Sequence, residues 1–248
     1  MALPDPFLLL TERQILVPTP IAVHLPAYRA LYASLHADPS FCHMGFGEHF
    51  PARQWSDDET RHVIVTRDID RSWKKRGLGD FAVGLREVEG SYALETKCFE
   101  ETTSPEKTLV LRSGDDYQRL VGKNYEGLQQ IQWVGYAGVR EPSLPPRESG
   151  DPSLPSWDEM VEVRYGIAPK FWGRALACDA AQGVLSWTST KKGVKKFIAE
   201  TEKANERSGR LLRKLGFVPT GMNLYWKDPG ETEWECSVSS NSPFNILE

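Results

Sequence analysis

The stretch MVEVRYGIAPKFWGRALACDAA, residues 160–181, changes its hydrophobic period within a few residues and so constrains what surrounds it. Val161, Val163, Tyr165 and Ile167 alternate with Glu162 and Arg164, the period-two pattern of a strand with one apolar and one charged face. Beyond Pro169, Leu176, Ala180 and Val184 recur at four-residue steps beside Ala177, Ala181 and Leu185. This spacing predicts a helix over 174–187 with a narrow apolar stripe. A strand that feeds a helix through small residues exposes the first N–H groups of the helix, which have no internal partner, to whatever lies above the turn. Ala175 and Ala177 keep Cβ bulk low there, and Arg174 adds positive charge, so the turn suits an anion such as phosphate. The same small residues would equally let a helix pack closely on a sheet.

The flanking sequence extends this into an α/β arrangement. LLLTERQILV, residues 8–17, is rich in strand formers, and Tyr28, Leu31, Tyr32 and Leu35 recur at helical spacing in the segment after it. A second helix is predicted over 52–77, with Ser56 and Glu59 as a capping box and Gly77 and Gly79 as its stop. Residues 80–101 and 131–141 read as antiparallel strands, with an irregular insertion over about 100–129. The segment 140–157 carries Pro-Ser-Leu-Pro twice, a proline density that forbids a central strand and predicts a long surface loop inside a single domain spanning 1–248. GVKKFIAETE is a further strand, NERSGRLLRKLGF a short helix ended by Gly216, and MNLYWKD with EWECSVS a closing hairpin.

Several function classes fall away. A net charge of −4 on 248 residues argues against general binding to a nucleic-acid backbone. Neither GxxxxGK[ST] nor an early GxGxxG is present, which removes the P-loop and dinucleotide readings. Cys42, Cys98, Cys178 and Cys236 are far apart and read as reduced packing residues of a cytoplasmic chain; Cys42, His43 and His49 lack the spacing of a metal site, so no metal is expected. No stretch approaches the ~20 apolar residues of a membrane span. His24, His36, His43, His49 and His62 read as solvated or packing residues. Trp55, Trp73, Phe46 and Phe50 either line a pocket or belong to the core.

Two separated motifs then resemble one family. Tyr165, Ile167, Pro169, Trp172, Gly173, Ala177 and Ala180, followed by Asn205, Ser208 and Lys214-Leu215-Gly216-Phe217, match in order the acetyl-coenzyme A site of the Gcn5-related N-acetyltransferases (GNAT), and within them the ribosomal-protein-alanine acetyltransferase-like (RimJ/RimL-like) branch. The resemblance is good over the last ~90 residues and loose elsewhere. It implies a mixed, mostly antiparallel sheet splayed around the cofactor and flanked by helices, in a monomer or homodimer. It also implies acetyl transfer from acetyl-CoA to a primary amine, either a protein N-terminus or a small molecule, by direct attack.

The resemblance places the cofactor on Tyr165, Ile167, Trp172, Gly173, Arg174, Ala175, Leu176, Ala177, Asn205 and Ser208. The turn amides would hold the pyrophosphate, and the strand end would pair with the pantetheine arm. An attacking amine must first lose a proton, and Glu162, with Glu159 second, is the candidate acceptor; a solvated or Arg164-paired glutamate is the other reading. Ser208 is the candidate donor to the departing thiolate, because the place where many members carry tyrosine holds Leu212. Ser208 and Asn205 also suit local helix capping. Ala175 stands where the family usually has glycine, which is tolerable with φ below zero and would otherwise hinder the pyrophosphate, and Arg164 stands where glycine is common, which puts charge near the acceptor groove. The absent tyrosine at Leu212 and the alanine at 175 keep open a non-catalytic acyl-CoA-binding or interaction protein of the same fold.

Overall fold

The computed structural model describes residues 3–47, 49–86, 109–149, 151, 153–156, 158–221, 223–238 and 246–247. The strands are β1 Phe7–Leu10, β2 Gln14–Pro18, β3 Asp80–Leu85, β4 Leu109–Ser113, β5 Gln132–Arg140, β6 Met160–Ile167, β7 Lys196–Glu202, β8 Val218–Pro219, β9 Glu231–Ser237 and β10 Ile246–Leu247. The helices are α1 Thr19–Ala22, α2 Pro26–Ala37, α3 Pro39–Phe46, α4 Asp57–Ile64, α5 Lys74–Arg76, α6 Gly114–Val121, α7 Leu176–Lys192 and α8 Glu206–Lys214. One ten-stranded sheet runs in the order β10-β4-β1-β2-β3-β5-β6-β7-β9-β8. Neighbours are antiparallel except β4 with β10 and β6 with β7.

The parallel pair positions the site. β6 and β7 are in register only over Met160↔Lys196, Val161↔Phe197 and Glu162↔Ile198. β6 continues along β5 to Ile167 and β7 continues along β9 to Glu202, so the two strands part after their first three residues. One side of the sheet carries α7, whose Trp187 stacks on Phe7 with ring centroids 5.1 Å apart and meets Phe81 edge-on at 5.3 Å. The other side carries α2 and α3, with Phe41 and Tyr136 filling the space beside Gly166: a Cβ there would come within 2.7 Å of the Phe41 ring.

The helix predicted from 52 to 77 begins only at Asp57, residues 52–56 being neither helix nor strand, and its capping box forms: Ser56 N donates to Glu59 Oε2 at 2.7 Å, and Glu59 N donates to Ser56 Oγ at 3.2 Å. It runs through α4, a π-helical stretch at Val65–Trp73 and α5, and stops at Gly77, which is left-handed at φ 64°. The π stretch buries Asp68, Ile69, Ser72 and Trp73, and Trp73 Nε1 donates to Asp80 O at 3.1 Å.

Other expectations are corrected. In place of an irregular insertion, the described part of 100–129 contains β4, α6 and a 3-10 turn at Lys123–Leu128. Tyr117 and Val121, four residues apart, are the buried face of α6. The 80–101 strand is described only to Leu85 as β3, and Cys98 lies outside the described residues. Arg140, the first residue of the expected proline-rich loop, ends β5; the rest of its described part has neither helix nor strand, and its Leu144 and Leu154 pack on Met160, Ile198 and Tyr225. The closing hairpin does not form as expected: β9 pairs with β7 and with the short β8. The segment 224–227 is held instead by the buried Glu233 carboxylate, which accepts from the N–H groups of Leu224, Tyr225, Trp226 and Lys227 at 2.6–3.0 Å. Among the described residues no helix is long and apolar enough to cross a membrane.

Candidate active site

The turn between β6 and α7 is more contorted than its sequence suggests. α7 begins at Leu176 rather than 174 and runs on to Lys192, ending at left-handed Gly193. Gly173 has φ 79°, and Ala175, the N-cap, has φ 60° and ψ 10°. The condition under which alanine is tolerable there, φ below zero, is therefore not met, and the Cβ of Ala175 stands where glycine would leave more room for a pyrophosphate. A left-handed alanine costs ~1–2 kcal/mol, partly offset because alanine orders from a less flexible unfolded chain than glycine does. Ala175→Gly is accordingly expected to stabilise the protein by ~0.5–1 kcal/mol, seen as a rise in Tm of ~2 °C; an unchanged or lower Tm would show the strain to be absent.

The contorted turn leaves a concave set of donors. Among the described residues nothing accepts from the N–H groups of Gly173, Arg174, Ala175, Leu176 or Ala177. A Cβ built on Gly173 meets nothing within 4 Å, so the space above the turn is open. Two cations border it. The Arg174 guanidinium lies over the Phe171 ring at 5.5 Å, and Arg13, from the β1–β2 connection, donates to Arg174 O at 3.2 Å and to Asp179 Oδ2 at 2.9 Å. Arg13 was not visible as a site residue, because nothing in the sequence ties residue 13 to residue 174. Gln14 Nε2 secures the first turn of the helix by donating to Leu176 O at 3.0 Å.

The expected cofactor residues come together on the α7 side of the parted strands. Tyr165, on β6, shares a 2.6 Å hydrogen bond between its hydroxyl and Ser208 Oγ of α8, which links the two walls of the opening. Burial pushes the Tyr165 phenol up to about 12, against the opposing effect of the Ser208 hydrogen bond. Trp172 Nε1 donates to Ile167 O at 2.6 Å, and Arg207 lies over the Trp172 ring at 5.1 Å, so Trp172 joins the end of β6 to α8. Asn205 is an N-cap whose side chain accepts from Ser208 N at 3.0 Å and whose Nδ2 donates to Met44 O at 2.7 Å. Leu212 is fully buried.

The opposite face carries the charges. The buried Glu162 does not pair with Arg164; Arg140 on β5 holds both its oxygens, with Nε donating to Oε2 at 2.8 Å and Nη2 to Oε1. Arg164 instead pairs with Asp80 of β3 at 2.9 Å and lies over the Tyr136 ring at 5.5 Å. The pair spans β5 at Gly138, where a Cβ would collide with Asp80 Cα and Oδ1, so glycine is what lets the two charges meet. Asp80 N donates to Asp68 Oδ1 at 3.0 Å, and Thr19 Oγ1 donates to Asp68 Oδ2. Burial first, and the Asp80 charge second, raise Asp68 well above the usual carboxylate range. Glu159 pairs with Lys195 just ahead of β6, away from the opening.

Glu200, which no motif marks, stands on β7 beside these groups. Burial first and then the Glu162 charge, with Glu231 and Asp228 adding and Arg140 opposing, push its carboxyl up to about 7. The aromatic group considered from sequence divides. Phe46 and Trp55 surround His36 together with Tyr32 and Phe41, with centroids 4.7–6.1 Å from the imidazole, whereas Trp73 sits in the core against Phe81 and Phe50 leans on Phe46. His36 is a buried packing residue, lowered to about 4 by burial and then by Arg164 and Arg67.

A ten-stranded, mostly antiparallel sheet that splits at its parallel pair beside a donor-rich turn defines an acyltransferase architecture. The chain belongs to the GNAT acetyltransferase family, whose domain model matches residues 16–218. An uncharacterized N-acetyltransferase of Bacillus subtilis (strain 168), YoaA, is 29% identical over 80 residues, 32% of this chain and 45% of the relative, so the match spans less than half of that curated protein. In fold the chain is similar to an acetyltransferase from Agrobacterium tumefaciens str. C58, at 17% identity and TM-score 0.55 with 96% of each chain covered. It is also similar to RimL, the ribosomal L7/L12 alpha-N-protein acetyltransferase, in complex with coenzyme A, at 9% identity and TM-score 0.54 with 93% and 97% covered.

Proposed function

We propose that this chain, as one domain, is an acetyl-CoA-dependent N-acetyltransferase acting on a primary amine by direct attack. The observation that carries the reading is the opening between β6 and β7 beside five uncommitted N–H groups with open space over Gly173. Those amides, with Arg174 and Arg13, suit a pyrophosphate. The β6 edge beyond Glu162 has lost its β7 partner and suits an amide-bearing arm added like a strand. Bound acetyl-CoA supplies the thioester carbonyl as electrophile. The chain aligns the amine with it and handles protons, with the Ser208 hydroxyl, backed by Tyr165, as donor to the departing sulfur. The RimJ/RimL-like branch resemblance favours a protein N-terminus as acceptor, and a small-molecule amine is the alternative.

A second reading is a member that binds acyl-CoA without turnover, favoured by strained Ala175 and by Leu212 lying buried where many members carry tyrosine. Calorimetric titration with acetyl-CoA, followed by thiol release over peptide and amine panels, separates the readings. Micromolar binding with acceptor-dependent thiol release is expected. Binding without release from any acceptor would favour the second reading, and absence of binding would end both.

A further inference from the structure

Resting on that function, we propose that Glu200, rather than Glu162, is the carboxylate that takes the proton from the acceptor amine. The register fixes where it stands. Glu162 and Ile198 are paired residues of parallel strands, so their side chains share a face, and Glu200, two residues beyond Ile198, shares it too. Along that face the paired strands carry Met160 beside Lys196 and then Glu162 beside Ile198. Past the parting, Arg164 and Glu200 stand across the opening from each other, followed by Gly166 and Glu202.

The covers on this face leave that third row between them. Leu144, Leu154 and Tyr225 pack over Met160 and Ile198. At the other end α3 lies close on both strands: Phe41 fills the space at Gly166, and Gly47, just past the helix, is so near Glu202 that a Cβ would collide with Oε1. Between these covers, at the level where β6 and β7 have separated, Arg164 is drawn away onto Asp80 and the Tyr136 ring, and Glu200 stands half-buried across from it.

Partnering decides between the carboxylates. Both Glu162 oxygens are engaged by Arg140, so a proton arriving there would have to break a two-point ion pair. The Glu200 carboxylate has no hydrogen bond or ion pair among the described residues, and the residue is half-buried. Its charged surroundings are Glu162 and Arg164 on β6, Arg140 on β5, Glu202 on its own strand, Glu233 paired beside it on β9, and Glu231 and Asp228 at that strand's start. The predominance of acidic neighbours and its burial set Glu200 near neutrality, where a carboxylate is an efficient proton acceptor. In the step, the ammonium N–H bond breaks and a Glu200 O–H bond forms. The freed amine pair then forms the C–N bond as the C–S bond breaks; the sulfur leaves with the C–S electron pair and takes a proton from the Ser208 hydroxyl, which is restored by the second N–H proton that the nitrogen sheds on becoming an amide.

The test compares the full chain with Glu200→Gln, Glu200→Asp and Glu162→Gln. The 13C carboxyl signal lost in Glu200→Gln identifies Glu200, and its titration midpoint is expected near 7; a midpoint below about 5 would overturn the proposal even if no acceptor were turned over. Acetyl-CoA affinity of Glu200→Gln, measured by calorimetry, is expected to match the parent, which keeps this test separate from failure of the cofactor site itself. With an acceptor from the panels, kcat/KM of the parent should rise through an apparent pKa near 7. Glu200→Gln should lose on the order of 100-fold at neutral pH together with that limb, and Glu200→Asp should recover part of the rate. A parent-like profile in Glu200→Gln, with the loss transferred to Glu162→Gln, would return the role to Glu162.

Discussion

Replacing Asp80 with alanine is expected to destabilise the protein by ~3 kcal/mol, seen as a fall in Tm of roughly 6–12 °C, because it strands a buried guanidinium. Arg164 and Asp80 have side chains only 17% and 4% exposed, and the pair raises the Arg164 pKa above an already high value despite burial. Removing one member of such a pair leaves the other charge uncompensated, which costs far more than the net worth of the contact. Asp68 should behave oppositely. Its pKa is raised in the folded protein, so the native state holds a proton that the unfolded chain releases above about pH 4. The stability it contributes is complete below the unfolded pKa and is lost as pH rises through the folded one. Asp68→Asn, which keeps a neutral group in place, is therefore expected to match the parent near pH 4 and exceed it in stability at pH 7 and above. Denaturation of both variants across that range is the check, and equal losses for Asp80→Ala and Asp68→Asn would refute the distinction.

The difference between those two aspartates marks what a sequence conceals. The alternation Val161, Val163, Tyr165, Ile167 is local and needs only period two, and it is realised as β6. The Ser56/Glu59 box spans four residues and forms as expected. Arg164 was legible as a charge on a strand, but its partner lies 84 residues away and its route across β5 depends on Gly138 having no side chain. Glu200 was hidden for a related reason. Its strand was predicted, yet its position opposite Arg164 follows from the β6–β7 register and from where the pairing stops, and neither is encoded locally. The segment 224–227 has strand-like residues whose N–H groups are satisfied by the Glu233 carboxylate, a side-chain partner that no periodicity reveals. α6 is concealed for a different reason: its buried face is the single pair Tyr117 and Val121 among polar residues, too short a repeat to mark a helix.

Gly173→Glu is expected to weaken acetyl-CoA binding by at least 100-fold, about 2.7 kcal/mol, while leaving the protein folded. The space around Gly173 is empty to 4 Å, so the new side chain meets no protein atom near its Cβ; the cost to folding is that of a left-handed non-glycine residue at φ 79°, ~1–2 kcal/mol. What changes is the electrostatics of the turn. The amides of 173–177 and the charges of Arg174 and Arg13 present a positive concavity to an anion, and a carboxylate planted among them satisfies those donors internally and repels a second anion. Gly173→Ala isolates the two effects, because it has the same backbone cost with neither charge nor reach, and should retain affinity within about tenfold of the parent. Equal losses in both variants would mean that the turn's conformation, not its open anion site, governs binding. Parent-like affinity in Gly173→Glu would mean that the pyrophosphate is not held at this turn, and the uncommitted amides of 173–177 would then serve only to let α7 begin against the sheet.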